Sequence, residues 1–191
     1  MNHKQEKFEH PIRLAELDPK GTLGRIGFGQ GQVLADVGAG TGIFSLPAAE
    51  MTEKISYALE ISDEMLSILE GKIQSEGVTN LKPVKVTDNQ FDIPDHVADL
   101  SLLVTSFHEI ENPAAILQEL GRILKSDGKV AVIEFHNWET PMGPPLDHRI
   151  SREEVLEKFH AHGFSLQEEF ILGENFYCLI FKLSLQNSEV L

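Results

Sequence analysis

The chain has 191 residues, 41% of them hydrophobic, and a formal net charge of −14. That size and apolar content suit one domain with a substantial core. So acidic a chain repels phosphate backbones and anionic headgroups, so free nucleic acid and a membrane surface are not its expected partners. A single cysteine, Cys178, excludes an intrachain disulfide framework and a Cys-rich zinc site. Met1 to His10 is polar and no apolar run approaches membrane-spanning length, so no stable membrane insertion and a cytoplasmic location are expected.

Residues 1–30 are expected to form an amino-terminal helical lid. Pro11 to Leu17 suggests a short helix, while Thr22 to Phe28 is too glycine-rich to assign. Val33 to Val37 is a buried-type strand that runs into Gly38-Ala39-Gly40-Thr41-Gly42. A helix follows through about Met51, with Pro47 early enough to be tolerated. Ile55 to Leu59 is the next strand, closed by Glu60. Ser62 caps a helix with Met65, Leu66, Leu69 and Ile73 on one face, and Gly77 stops it. Leu81 to Val86 contains Pro83, which marks it as an edge strand.

Asp99 to Val104 is again a buried strand. Asn112-Pro113 opens a helix whose stripe is Ile116, Leu117, Leu120, Ile123 and Leu124, and Asp127-Gly128 turns the chain into a strand over Lys129 to Phe135. Asn137 to Ile150, with Pro141, Pro144 and Pro145, is a loop. Ser151 with Glu154 forms a capping box for a helix ended by Gly163. Ser165–Ile171 and Phe176–Leu183 form a hairpin about Gly173-Glu174-Asn175, and residues 184–191 are expected to be a loose tail. The alternation predicts an α/β domain over residues 31–183, a doubly wound, mainly parallel sheet ending in an antiparallel hairpin.

In such a sheet, ligands bind beyond the carboxyl ends of the strands. The glycine cluster sits at that end of the first strand, and its backbone can approach a ligand closely. It departs from the dinucleotide fingerprint G-x-G-x-x-G, because its third glycine comes one residue early and Ile43 stands in its place. Asp36 just before the turn would crowd a pyrophosphate but favour a cation. Glu60 ends the second strand, where a carboxylate can accept both hydroxyls of a ribose. Together these describe a nucleoside with a positively charged or zwitterionic tail, the shape of S-adenosylmethionine.

Val33 to Gly42 (Val-Leu-Ala-Asp-Val-Gly-Ala-Gly-Thr-Gly) resembles the first motif of class I, seven-stranded S-adenosylmethionine-dependent methyltransferases. Ala58 to Leu66 resembles their second-strand motif, and Leu117 to Gly128 with Val130 to Glu134 resembles the segment entering their fifth strand. Asp147-His148-Arg149-Ile150-Ser151 is similar to the small members akin to ubiquinone and menaquinone biosynthesis enzymes. The resemblance spans about residues 30 to 183 and implies a Rossmann-like methyltransferase fold with S-adenosylmethionine as cofactor. It further implies that Asp36 and Gly38, Ala39, Gly40, Thr41 and Gly42 hold the amino-acid tail and sulfonium region, that Glu60 binds the ribose and that Ile61 packs on the adenine. An acid after the third strand would read the adenine amino group; in Thr87-Asp88-Asn89-Gln90, either Asp88 or Asn89 takes that place.

Methyl transfer from a sulfonium is an in-line displacement, so positioning does much of the work, and a base is needed only when the nucleophile arrives protonated. Thr105-Ser106-Phe107-His108-Glu109 follows the fourth strand, which places Thr105 beside the cofactor and makes His108 the leading base, since imidazole titrates near neutrality. Glu134 with His136 and His148 is the alternative, a metal site. The Asn/Asp-Pro-Pro-aromatic motif of nucleic-acid base methylation is missing, and one cysteine does not suit arsenite methylation. The expected function is methyl transfer to a small-molecule acceptor. A non-catalytic cofactor-binding module and a nucleotide-dependent oxidoreductase are the alternatives.

Overall fold

A computed structural model describes residues 8–184; the expected tail at 185–191 lies outside the described residues. The elements, in order, are α1 (Pro11–Leu17), α2 (Pro19–Ile26), β1 (Leu34–Val37), α3 (Ser45–Met51), β2 (Ser56–Glu60), α4 (Asp63–Glu76), β3 (Leu81–Lys85), β4 (Ala98–Val104), α5 (Pro113–Ile123), β5 (Leu124–Phe135), α6 (Arg152–Ala161), β6 (Phe164–Leu172) and β7 (Phe176–Leu183). The strands form one seven-stranded sheet in the order β3-β2-β1-β4-β5-β7-β6. Its first five strands are parallel, and β7 is antiparallel to both β5 and β6. This is the doubly wound architecture expected from the sequence.

Alternating side chains divide the core between the two faces of the sheet, as a pleat with a period of two requires. In β5, Val130 and Val132 pack with α5 and α6 residues such as Leu117, Leu120, Val155 and Phe159. Ala131, Ile133 and Phe135 face the other way, toward Leu23, Ile26 and Phe44. β7 repeats the division, with Tyr177, Leu179 and Phe181 on the first face and Phe176, Cys178 and Ile180 on the second. Pro83 lies in edge strand β3, where its missing N–H leaves no gap in the interior of the sheet.

Local signals place most boundaries. The Ser62 hydroxyl accepts the Met65 N–H at the start of α4, and both halves of the Ser151–Glu154 capping box form at α6. Two elements differ from expectation. The glycine-rich stretch that resisted assignment belongs to α2: Asp18 caps it, Pro19 opens it and Gly27 (φ +89°) closes it, while Leu23 and Ile26 bury their side chains. Those caps and contacts outweigh a penalty of about 1 kcal/mol for each interior glycine. Leu124 is not the last residue of the helical stripe but the first of β5, pairing with Ala98; the pairing then jumps to Leu100–Lys129, leaving Lys125–Gly128 as a bulge. Backbone pairing at the sheet captured Leu124 once its side chain was buried.

The strand order reverses between β1 and β4, and the loops after these strands meet there. Ser106 Oγ donates to the Val37 carbonyl at 3.1 Å. A Cβ on Gly38 would lie 2.8 Å from the Cβ of Ser106, so this contact requires glycine.

Candidate active site

The glycine loop packs on the neighbouring strand. Gly38 and Ala39 N–H groups donate to the Leu59 carbonyl at 2.8 and 3.1 Å, and Gly42 N–H to Ala39 at 2.9 Å. Gly42 has φ +83°, and a Cβ there would sit 2.5 Å from Leu69 Cδ1, so the turn needs glycine on both counts. The first two amides therefore shape the loop and are already used. A Cβ on Gly40 would meet nothing within 4 Å, and the Thr41 hydroxyl is buried with no partner.

Two buried carboxylates flank this loop. Asp36 is 2% exposed and accepts a 2.5 Å hydrogen bond from Ser45 Oγ. Burial pushes its pKa up to about 7, partly offset by the Ser45 bond and reinforced by the charge of Glu60. Glu60 accepts from Gly40 N–H and Ser62 N–H, each at 2.8 Å and each to a different oxygen. Carboxylate oxygens have further lone pairs, so these bonds leave Glu60 able to accept ribose hydroxyls. Ile61 follows at 71% exposure, an apolar side chain standing in solvent beside the loop. Asp88 and Asn89 both have positive φ, in a tight turn closed by Gln90 N–H on the Thr87 carbonyl. Such a turn suits Asp and Asn, whose short side chains tolerate this conformation. An electronegative, glycine-lined cradle with an orphaned hydroxyl and an exposed apolar side chain fits a cationic nucleoside.

The far side of the site is built from β4, β5 and the amino-terminal helix. Thr105 has φ +49°, a strained conformation for a β-branched residue, and its Oγ1 accepts from Arg13 Nη2 at 2.7 Å. His108 lies in a 3-10 turn, Phe107–Glu109. Its Nδ1 is 2.8 Å from Glu134 Oε2, while Glu134 Oε1 accepts the Phe107 and His108 backbone N–H groups at 2.8 and 3.2 Å. Glu134 is 1% exposed at the end of β5 and thus fixes both the ring and the turn that carries it. The metal alternative does not assemble: His136 stacks on Trp138 at 4.0 Å, and His148 is exposed. Among the described residues there is no group of three metal-ligating side chains.

A cavity of about 360 Å³ opens over His108. Phe8, Ile12 and Arg13 cover it from the amino-terminal segment, with Phe135 below and Pro141 to Pro144 at the side. Arg149 organises that last loop, donating at 2.8 Å to the carbonyls of His136, Trp138 and Pro144 and to Thr140 Oγ1. Buried Asn175, in the β6–β7 turn, accepts Met142 N–H and donates to Glu16, which joins α1 to the same loop. Lys72 bridges Glu9 and the Thr41 carbonyl at 2.6 and 3.0 Å. Arg13 and Asn175 carry no motif, and Arg149 stands in the Asp147–Ser151 resemblance with no role attached to it, so sequence reasoning missed their parts in the site; the early basic residue in a predicted helix was the only signal for Arg13.

The profile of the methyltransferase domain family matches residues 35–132, just over half of the chain. The chain belongs to that family, and its fold is that of class I S-adenosylmethionine-dependent methyltransferases. A SAM-dependent methyltransferase from Aquifex aeolicus superposes with a TM-score of 0.89 at 26% identity, covering 94% of this chain and 97% of that one. A ubiquinone/menaquinone biosynthesis C-methyltransferase, UbiE, from Chromobacterium violaceum is 29% identical over 129 residues, 66% of this chain and 52% of the relative. A demethylmenaquinone methyltransferase of Geobacillus stearothermophilus is 26% identical over 117 residues, 60% of this chain and 50% of that protein. The chain spans about half the length of the curated relatives it matches. Among the described residues no helix is long and apolar enough to cross a membrane.

Proposed function

We propose that this chain transfers the methyl group of S-adenosylmethionine to a small-molecule acceptor held in the cavity over His108. The observation that carries this reading is His108, held by the buried carboxylate of Glu134, on the lining of a cavity that also includes Thr105 just after β4. When bound, the cofactor supplies an electrophilic methyl on a sulfonium. Asp36 and the loop from Gly38 through Ala39, Gly40 and Thr41 to Gly42 hold its charged end, with Thr105 on the opposite side. Glu60 accepts the ribose hydroxyls, Ile61 covers the adenine, and Asp88 or Asn89 reads its amino group.

The acceptor is oriented by the cavity walls, and α1 with Phe8 and His10 acts as the lid that excludes water. Glu134 accepts a hydrogen bond from His108 Nδ1–H, which makes Nε2, 3.7 Å from Glu109 Oε1, the basic nitrogen of the ring. His108 would take the proton that the acceptor gives up, and Glu134 would stabilise the imidazolium that results. A cytoplasmic location and indifference to nucleic acid belong to the same reading, supported by the acidic balance and the lone buried thiol. The test is transfer of labelled methyl from S-adenosylmethionine into fractionated small-molecule extract. A labelled small product supports the reading; tight cofactor binding with no product from any fraction would make the chain a non-catalytic binding module.

A further inference from the structure

Arg13 is a cation on the wall of the cavity that, among the described residues, has no carboxylate in ion-pair contact. The residue is only 5% exposed, and its hydrogen bonds go to neutral acceptors, from Nη1 to the Phe8 carbonyl and from Nη2 to Thr105 Oγ1, both at 2.7 Å. A guanidinium has five N–H donors. Among the described residues no carboxylate is in ion-pair contact with Arg13. The charge it senses is Glu134, whose oxygens already accept from Phe107, the His108 backbone and the His108 ring. Glu109, the acid on the lining, has a side chain 78% exposed and lies 3.7 Å from His108 Nε2. Burial lowers the pKa of Arg13 to about 10, so it stays protonated at neutral pH.

A desolvated cation with neutral partners is costly, and an arriving anion offsets that cost. The opposite walls, Phe135, Met142 and Pro144, are apolar. We propose that Arg13 is the anion-recognition residue of this cavity and receives the carboxylate of a small molecule. That carboxylate belongs either to a methyl acceptor with an apolar body or to the amino-acid end of the cofactor, because Thr105 and Ser106 connect Arg13 to the loop after β1. The proposal rests on the cofactor-and-acceptor reading given above.

Two matched ligand pairs test it by calorimetry. The first is benzoate against benzamide on protein saturated with S-adenosylhomocysteine. The second is S-adenosylmethionine against its decarboxylated form on the free protein. The wild type is expected to prefer the carboxylate member of at least one pair by about tenfold or more, the scale of a charge-assisted hydrogen bond. Arg13→Gln should abolish that preference and Arg13→Lys should keep part of it. Preference in the first pair assigns the carboxylate to the acceptor, and preference in the second assigns it to the cofactor. No preference in either pair, measured on the wild type alone and so independent of whether a variant folds, would overturn the proposal while leaving the methyltransferase reading intact. A preference that survives in folded Arg13→Gln would also overturn it. Failure to bind S-adenosylhomocysteine at all would overturn the underlying function, and this proposal with it.

Discussion

Asp36 and His108 are the titratable side chains that the proposed mechanism uses. Asp36 holds its proton up to about pH 7 in the free protein, because burial and Glu60 disfavour a second charge. A cation bound beside it restores the ionised form, so cofactor binding should release a proton. Affinity for S-adenosylmethionine is then expected to rise about tenfold per pH unit below 7 and to level off above it. Calorimetry in buffers of different ionisation enthalpy checks this, and Asp36→Asn should flatten the dependence. The same raised carboxyl destabilises the free fold as pH climbs from 3.8 to about 7, since the unfolded chain gives up that proton first. For His108, replacement by Ala should lower turnover about 100-fold to 1,000-fold with little change in cofactor affinity. A rate like the wild type would assign the base elsewhere.

Elements place these side chains, and the turns between elements carry most of the sequence's legible signal. The glycine loop was readable because its backbone conformations demand glycine: Gly42→Ala combines a positive φ with a 2.5 Å clash against Leu69 and should weaken both folding and cofactor binding. Thermal melts with and without S-adenosylhomocysteine measure the two losses together. Between β5 and α6 the sequence predicts a loop that runs into the Asp147–Ser151 resemblance, with nothing to define the loop's shape. Its shape comes from Arg149, whose four 2.8 Å bonds gather carbonyls from residues up to 13 positions away. Arg149→Ala strands those acceptors and should cost about 2–3 kcal/mol, lowering the melting temperature by roughly 4–12 °C. Limited proteolysis should then cut first within residues 137–148; an unchanged melting temperature and cleavage pattern would show that the loop holds itself without Arg149.

At the scale of the molecule, the parallel sheet brings the loops after β1, β2, β4 and β5 to one edge, with α1 joined to that edge through Arg13 and Glu16. The chain carries a net charge of −14, so duplex DNA at about 0.15 M salt should neither bind nor inhibit, which a mobility-shift assay checks. The sequence by itself determined the order of the strands and, α2 apart, of the helices along the chain, the sheet edge at Pro83, the caps of α4 and α6, and the glycine loop with the two acids beside it. These follow from periodicity, capping chemistry and glycine geometry, all of which act between residues near in the chain. Only the tertiary structure decided that Leu124 joins the sheet, that Glu134 serves His108 and no metal group with His136 and His148, and that Arg13 reaches Thr105 across 92 positions. Those outcomes depend on which side chains burial brings together, and a buried charge or hydrogen-bonding group takes the partner that packing supplies, however distant it is in sequence.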